Sequence, residues 1–192
     1  MNTESIASWY EVDAENRLRA VSADWDVFAR ANDGDGALTR RVLGRPLTDF
    51  LTGDATRMFV RAVFEATRVT GRPRSLPYRC DAPDRTRQLE MTVTPLGGGA
   101  LRVEHRLLAS EPRQRRAPLR ALHADEPGPA RWLRCSQCLR LAMPGPGSPW
   151  PDRVLVDDPV DASTTGSPPG RTPPLPVRDL VCPACAARLA TG

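Results

Sequence analysis

Two Cys-x-x-Cys turns, Cys135-Ser136-Gln137-Cys138 and Cys182-Pro183-Ala184-Cys185, constrain the fold of this chain more than any other feature. Each turn brings two thiols toward one point, and two such turns supply the four sulfurs that a tetrahedral Zn²⁺ accepts. The 43 residues between the turns are more than compact zinc modules use. Closing the longer loop costs little extra, because its entropy grows only logarithmically with length. The chain is therefore predicted to end in a small Cys₄ module with zinc held by Cys135, Cys138, Cys182 and Cys185. Four thiolates leave no open coordination position, which makes such a site structural. Other uses of the thiols stay open: a redox pair, with Arg134 and Arg140 favouring thiolate, an iron–sulfur cluster, or unligated thiols.

The setting follows from what the rest of the chain lacks. No stretch approaches the roughly 18 consecutive apolar residues that span a bilayer. Met1 to Ser8 shows neither the basic start nor the apolar core of a secretion signal. Those two absences predict a cytoplasmic protein, and in a reducing cytosol paired cysteines favour metal or redox use over disulfides. Length matters next, since 192 residues allow one medium domain and a satellite.

The first part of the chain reads as alternating strands and helices. Trp9, Tyr10 and Val12 lead through Asp13-Ala14-Glu15-Asn16 into Leu18 and Val21, the pattern of a β-hairpin. Ser22 is placed to cap a helix carrying Trp25, Phe28 and Ala29 on one face, and Asp33-Gly34-Asp35-Gly36 ends it. Pro46 bars a continuous helix across Leu43 to Leu51. A longer helix starts at Asp54 as N-cap, shows a stripe of Met58, Phe59, Ala62, Val63 and Ala66, and stops near Gly71. Three extended segments follow: Leu76, Tyr78 and Cys80; Leu89, Met91 and Val93; and Leu101, Val103 and Leu107 with His105 between. On that alternation Cys80 is a small core residue and His105 a satisfied strand histidine. The fold class is α+β, with five antiparallel strands covering one side of a helical layer.

That order of elements, with the Ser22-Ala23-Asp24-Trp25 helix entry and the Leu43-Gly44-Arg45-Pro46 segment, resembles the PAS fold over residues 6–108. Tyr78-Arg79-Cys80-Asp81-Ala82-Pro83-Asp84 and Met91-Thr92-Val93-Thr94-Pro95-Leu96 are similar to a bacterial PAS subgroup that carries a cysteine-rich tail. The tail pattern itself is matched by Cys135, Cys138, Trp150, Cys182, Pro183 and Cys185. It departs at Leu139, where such tails have a basic residue, and at Asp179-Leu180-Val181, where they have a His-Gly pair. The resemblance implies a PAS-like sensory domain joined to a zinc module, acting in signalling or gene regulation. Its partner would be a protein or a second copy bound through the PAS-like domain, with a small-molecule ligand as a further candidate. Trp25, Phe28, Phe50, Met58, Phe59 and Phe64 could line a ligand cavity or simply fill the core.

Between the modules, residues 109–130 read as a basic connector, helical in part around Leu119 to His123, with Arg113, Arg115, Arg116 and Arg120 as its densest basic run. Residues 131–192 form the Cys₄ module, interrupted at 144–176 by an insertion that holds ten of the 20 prolines and is expected to be disordered. All 27 basic residues are arginine, yet the net charge is only +4, which argues against a phosphate-tracking surface and against nucleic acid as partner. Flavin photochemistry would need a cysteine on the helical side of the cavity, and haem a histidine in the long helix 54–70; the chain has neither. With two histidines and no phosphate-cradling or nucleophile motif, the chain reads as a non-catalytic regulator. The alternatives are a nucleic-acid-binding zinc protein, through Arg113, Arg115, Arg116, Arg131, Arg134 and Arg140, and a thiol redox switch.

Overall fold

The computed structural model describes residues 8–31, 34–81, 85–112, 119–122, 126, 132–150 and 175–191. Its first layer is a five-stranded antiparallel sheet in the order β2-β1-β5-β4-β3, built from β1 (Ser8–Val12), β2 (Leu18–Val21), β3 (Arg74–Arg79), β4 (Arg85–Pro95) and β5 (Leu101–Pro112). β1 and β2 form the expected hairpin. The Asp13 carboxylate accepts the backbone N–H groups of Glu15 and Arg17 at 3.0 and 2.7 Å, and Asn16 takes the left-handed conformation that asparagine tolerates.

The helices lie between β2 and β3 in sequence: α1 (Trp25–Ala31), the short α2 (Thr39–Val42) and α3 (Asp54–Thr70). α1 does not use the Ser22 hydroxyl as its cap. The Trp25 N–H donates to the Ser22 backbone carbonyl, and the buried hydroxyl has no partner among the described residues. α2 ends before Pro46 and a turn of 3₁₀ helix follows at Leu47–Phe50, so no helix runs through the proline, as expected. α3 begins at Asp54 itself, with Gly53 ahead of it as N-cap, and closes at Gly71, whose left-handed backbone donates its N–H to Thr67.

The α3 stripe differs from the expected one. Phe59, Val60, Val63, Phe64 and Thr67 are buried, whereas Met58 is 70% exposed and Ala62 lies outside as well. Arg61 and Glu65 decide this, because they sit between Met58, Ala62 and Val69 and need water. Thr67 can be buried because its hydroxyl donates to the Val63 carbonyl at 2.8 Å. Of the six side chains that could line a cavity, Phe59 and Phe64 belong to the core. Trp25, Phe28 and Phe50 are half-buried. The Trp25 indole N–H is held by the Ala37 carbonyl at 2.6 Å. The core joins α3 to the inner side of the sheet through Tyr10, Val12, Leu76, Met91, Val93, Leu101 and Val103.

Cys80 is a second correction: it lies one residue past β3 and is exposed. Leu76 is the buried position of β3, Tyr78 is half-buried, and the alternation runs out at Arg79, so the Cys80 side chain past the strand end does not continue the inward row. His105 is the satisfied strand histidine expected, with Nδ1 and the Tyr78 hydroxyl 2.9 Å apart.

A second, four-stranded sheet has the order β6-β9-β7-β8, from β6 (Leu119–Ala121), β7 (Trp132–Cys135), β8 (Leu141–Ala142) and β9 (Leu175–Leu180), and α4 (Pro183–Thr191) follows it. β9 runs parallel to both β6 and β7, and β7 and β8 are antiparallel. β6 replaces the helix expected near Leu119 to His123. A segment this short cannot meet the cost of nucleating a helix alone, while the edge of β9 offers it pairing at once, extended by the Leu122 N–H to the Val177 carbonyl at 2.8 Å. Within the expected connector, β5 reaches Pro112 and Arg120 of the basic run lies on β6, paired with Glu126 at 2.7 Å, while residues 113–118, with Arg113, Arg115 and Arg116, lie outside the described residues. Most of the expected insertion, residues 151–174, lies outside them too.

Candidate metal centre

The first Cys-x-x-Cys turn is the reversal between β7 and β8. Cys135 ends β7, its N–H donates to the Arg140 carbonyl at 2.9 Å, and the Leu139 N–H returns to the Cys135 carbonyl at 2.9 Å. Leu139 takes a left-handed backbone, φ 54°, to complete the turn. For a residue with a Cβ that conformation costs on the order of 1 kcal/mol, so the turn is held by something stronger than local preference. The second turn joins β9 to α4. Cys182 precedes the helix and accepts its first bond from the Ala186 N–H at 2.9 Å, and Cys185 lies in the first helical turn. The Ser136 N–H donates to the Leu180 carbonyl at 2.8 Å and so ties one turn to the other.

All four sulfurs lie within 4.8 Å of one another, and Cys138 Sγ and Cys182 Sγ are 3.9 Å apart. A tetrahedral zinc with Zn–S near 2.3 Å separates its sulfurs by about 3.8 Å, so the cluster is within small adjustments of that shape. Cys135 and Cys182 have no solvent exposure, Cys185 has 4%, and Trp150 packs against the group. Cys138 is half-buried, and four sulfurs around one ion leave no open coordination position for substrate. The four cysteines named from their spacing are the ones brought together, and they could hold a metal ion.

The electrostatics favour a cation. The Cys138 thiol donates to Cys135, and the backbone N–H groups of Cys182 and Gln137 point at the same sulfur at 3.4 Å each. Together they hold the Cys135 thiol well below the usual thiol range. Cys138, which gives that bond, is raised, and Cys185 is pushed up by burial and by the charge on Cys135. The protein alone therefore stabilises one thiolate and resists the next. A divalent cation cancels that repulsion and displaces the remaining protons.

Arg134 is not available to activate a thiolate. It forms a bidentate pair with Asp179, Nε to Oδ1 at 2.7 Å and Nη2 to Oδ2 at 2.8 Å, directly across the β7–β9 register. The sequence reading noted Asp179 only as a departure from a His-Gly pair. Its signal was a charge of opposite sign shortly ahead of each cysteine turn, Arg134 one residue before Cys135 and Asp179 three before Cys182. Gln137 was missed as well: it is buried, and its carbonyl accepts the Arg79 N–H of β3 at 2.7 Å.

Among the described residues no helix is long and apolar enough to cross a membrane. No family model matches the chain, and no curated protein matches it. Among solved structures, a domain of an HTR-like protein from Haloarcula marismortui ATCC 43049 is similar at 10% identity with a TM-score of 0.37. The overlap covers 54% of this chain and 98% of that domain, a likeness too weak to bear on activity.

Proposed function

We propose that this chain is a non-catalytic regulatory protein in which a PAS-type sensing or protein-interaction domain is coupled to a structural zinc module. The observation that carries this reading is the cluster of four cysteine sulfurs, all within 4.8 Å of one another, three of them buried and Cys138 half-buried. A closed sulfur site supplies folding free energy and no reaction centre. Support for the PAS-type reading comes from the antiparallel order β2-β1-β5-β4-β3 with α1 to α3 inserted between β2 and β3. The thiol-rich centre suits a reducing cytoplasm, and the resemblance of the tail suits a bacterial pathway. In this reading output passes through a protein partner or a second copy.

Elemental analysis of the purified, untagged chain tests the reading. One zinc per chain is expected in the wild type and in Cys80→Ser, and none in a Cys135→Ser, Cys182→Ser double variant. Equal zinc in the wild type and the double variant would remove the proposed centre. A nucleic-acid complex that weakens steeply from low to moderate salt would move the function to the phosphate-binding class.

A further inference from the structure

β3 is the outer strand of the five-stranded sheet, and each of its ends is bonded to the cysteine module. The Arg79 N–H points away from β4 and donates to the Gln137 carbonyl, while the next N–H, of Cys80, turns back to Arg87 at 3.1 Å. By the same alternation Pro77, which has no N–H to offer, occupies the outward position two residues earlier, and so leaves that part of the edge without a donor. Gln137 also sends its own N–H to Cys135 Sγ at 3.4 Å, so one residue joins a candidate ligand to the edge of the sheet. At the other end of β3, Arg74 Nη1 donates to the Leu189 carbonyl of α4 at 3.1 Å. Leu189 follows Cys185 by one helical turn, Val181 directly precedes Cys182, and both side chains pack against the main core. Each Cys-x-x-Cys turn is thus bonded to β3 or packed on the core through a near neighbour.

We propose that metal occupancy of the Cys₄ centre is coupled to the order of the β3 edge and of the core surface under Val181 and Leu189, making a bound divalent metal such as Zn²⁺ a signal that the five-stranded domain reads. The proposal rests on the zinc site argued above. Metal binding fixes the two turns, and the turns carry Gln137, Val181 and Leu189 to their partners. Without metal, four crowded thiols do not hold the turns together, the Arg79 N–H loses its acceptor, and apolar surface on the core is uncovered. Linkage requires the converse: weakening the seam must weaken the metal.

Two measurements on the full chain test this. The first is hydrogen exchange of the zinc-loaded protein before and after a strong chelator. Peptides covering Arg74 to Arg79 should lose protection, while those covering the centres of β1 and β5 keep it. The second is zinc affinity by competition with a chromophoric chelator in Arg74→Ala and Leu189→Ala, which leave all four cysteines in place, and in Arg106→Ala, a surface control. At least about five-fold weaker binding is expected in the first two and no change in the control. Wild-type affinity in both seam variants, with β3 exchange indifferent to chelation, overturns the coupling and leaves the zinc site standing. A wild-type chain that binds no zinc overturns the site itself. If a seam variant fails to fold, the exchange comparison on the unaltered chain decides.

Discussion

His105 shows how far one residue's chemistry follows from its place in a strand. Its alternation with Val103 and Leu107 turns the ring inward, where Tyr10 and Tyr78 each approach with centroids 5.6 Å away. Burial lowers its pKa to about 4, whereas an unfolded histidine titrates near 6.5. Between those values the unfolded chain binds a proton that the folded chain refuses, so stability is lost as pH falls from about 6.5 toward 4, by roughly 3 kcal/mol in full. Urea midpoints at pH 7.5 and 5 should fall further in wild type than in His105→Gln. Acid release of metal acts on both and cancels in the comparison. Equal falls would mean that the ring accepts its proton inside the fold. The same alternation misplaced Cys80, because strand periodicity tells which side a residue faces but not where the strand ends.

At the scale of elements, the expected α3 stripe of Met58, Phe59, Ala62, Val63 and Ala66 holds at Phe59 and Val63 and fails at Met58 and Ala62, because the buried face turns toward Val60, Phe64 and Thr67. The charges of Arg61 and Glu65 had the deciding vote, and a buried threonine that bonds its own helix is easily read as polar surface. Adjacent residues now make a sharp test. Phe59→Ala should cost about 3 to 5 kcal/mol as a core deletion, while Met58→Gln should stay within about 0.5 kcal/mol. Comparable losses, read from urea midpoints at one pH, would place Met58 in the core after all. The cysteine turns were legible because their spacing is covalent and local. The parallel pairing of β9 with β6 and β7 was not, since it joins distant segments through strands of three to six residues whose pattern is too short to announce a partner.

For the whole molecule, the question is whether the five-stranded domain stands without the cysteine module. Every buried member of its main core lies between Tyr10 and Val103, and the tail adds only the partly buried Val181 and Leu189. Residues 1–112, which keep all of β5, should therefore unfold cooperatively on their own. Covering two partly buried aliphatic side chains is worth about 1 to 3 kcal/mol, so the midpoint should lie below that of the zinc-loaded full chain by that amount. The seam also sets how each form responds to metal. Chelation should lower the midpoint of the full chain toward that of the fragment and leave the fragment unchanged, because the fragment lacks all four ligands. A fragment that melts on chelation would show that the effect does not pass through the centre. A fragment that never folds would show that β9 and α4 complete the core, so that the two sheets are halves of one domain.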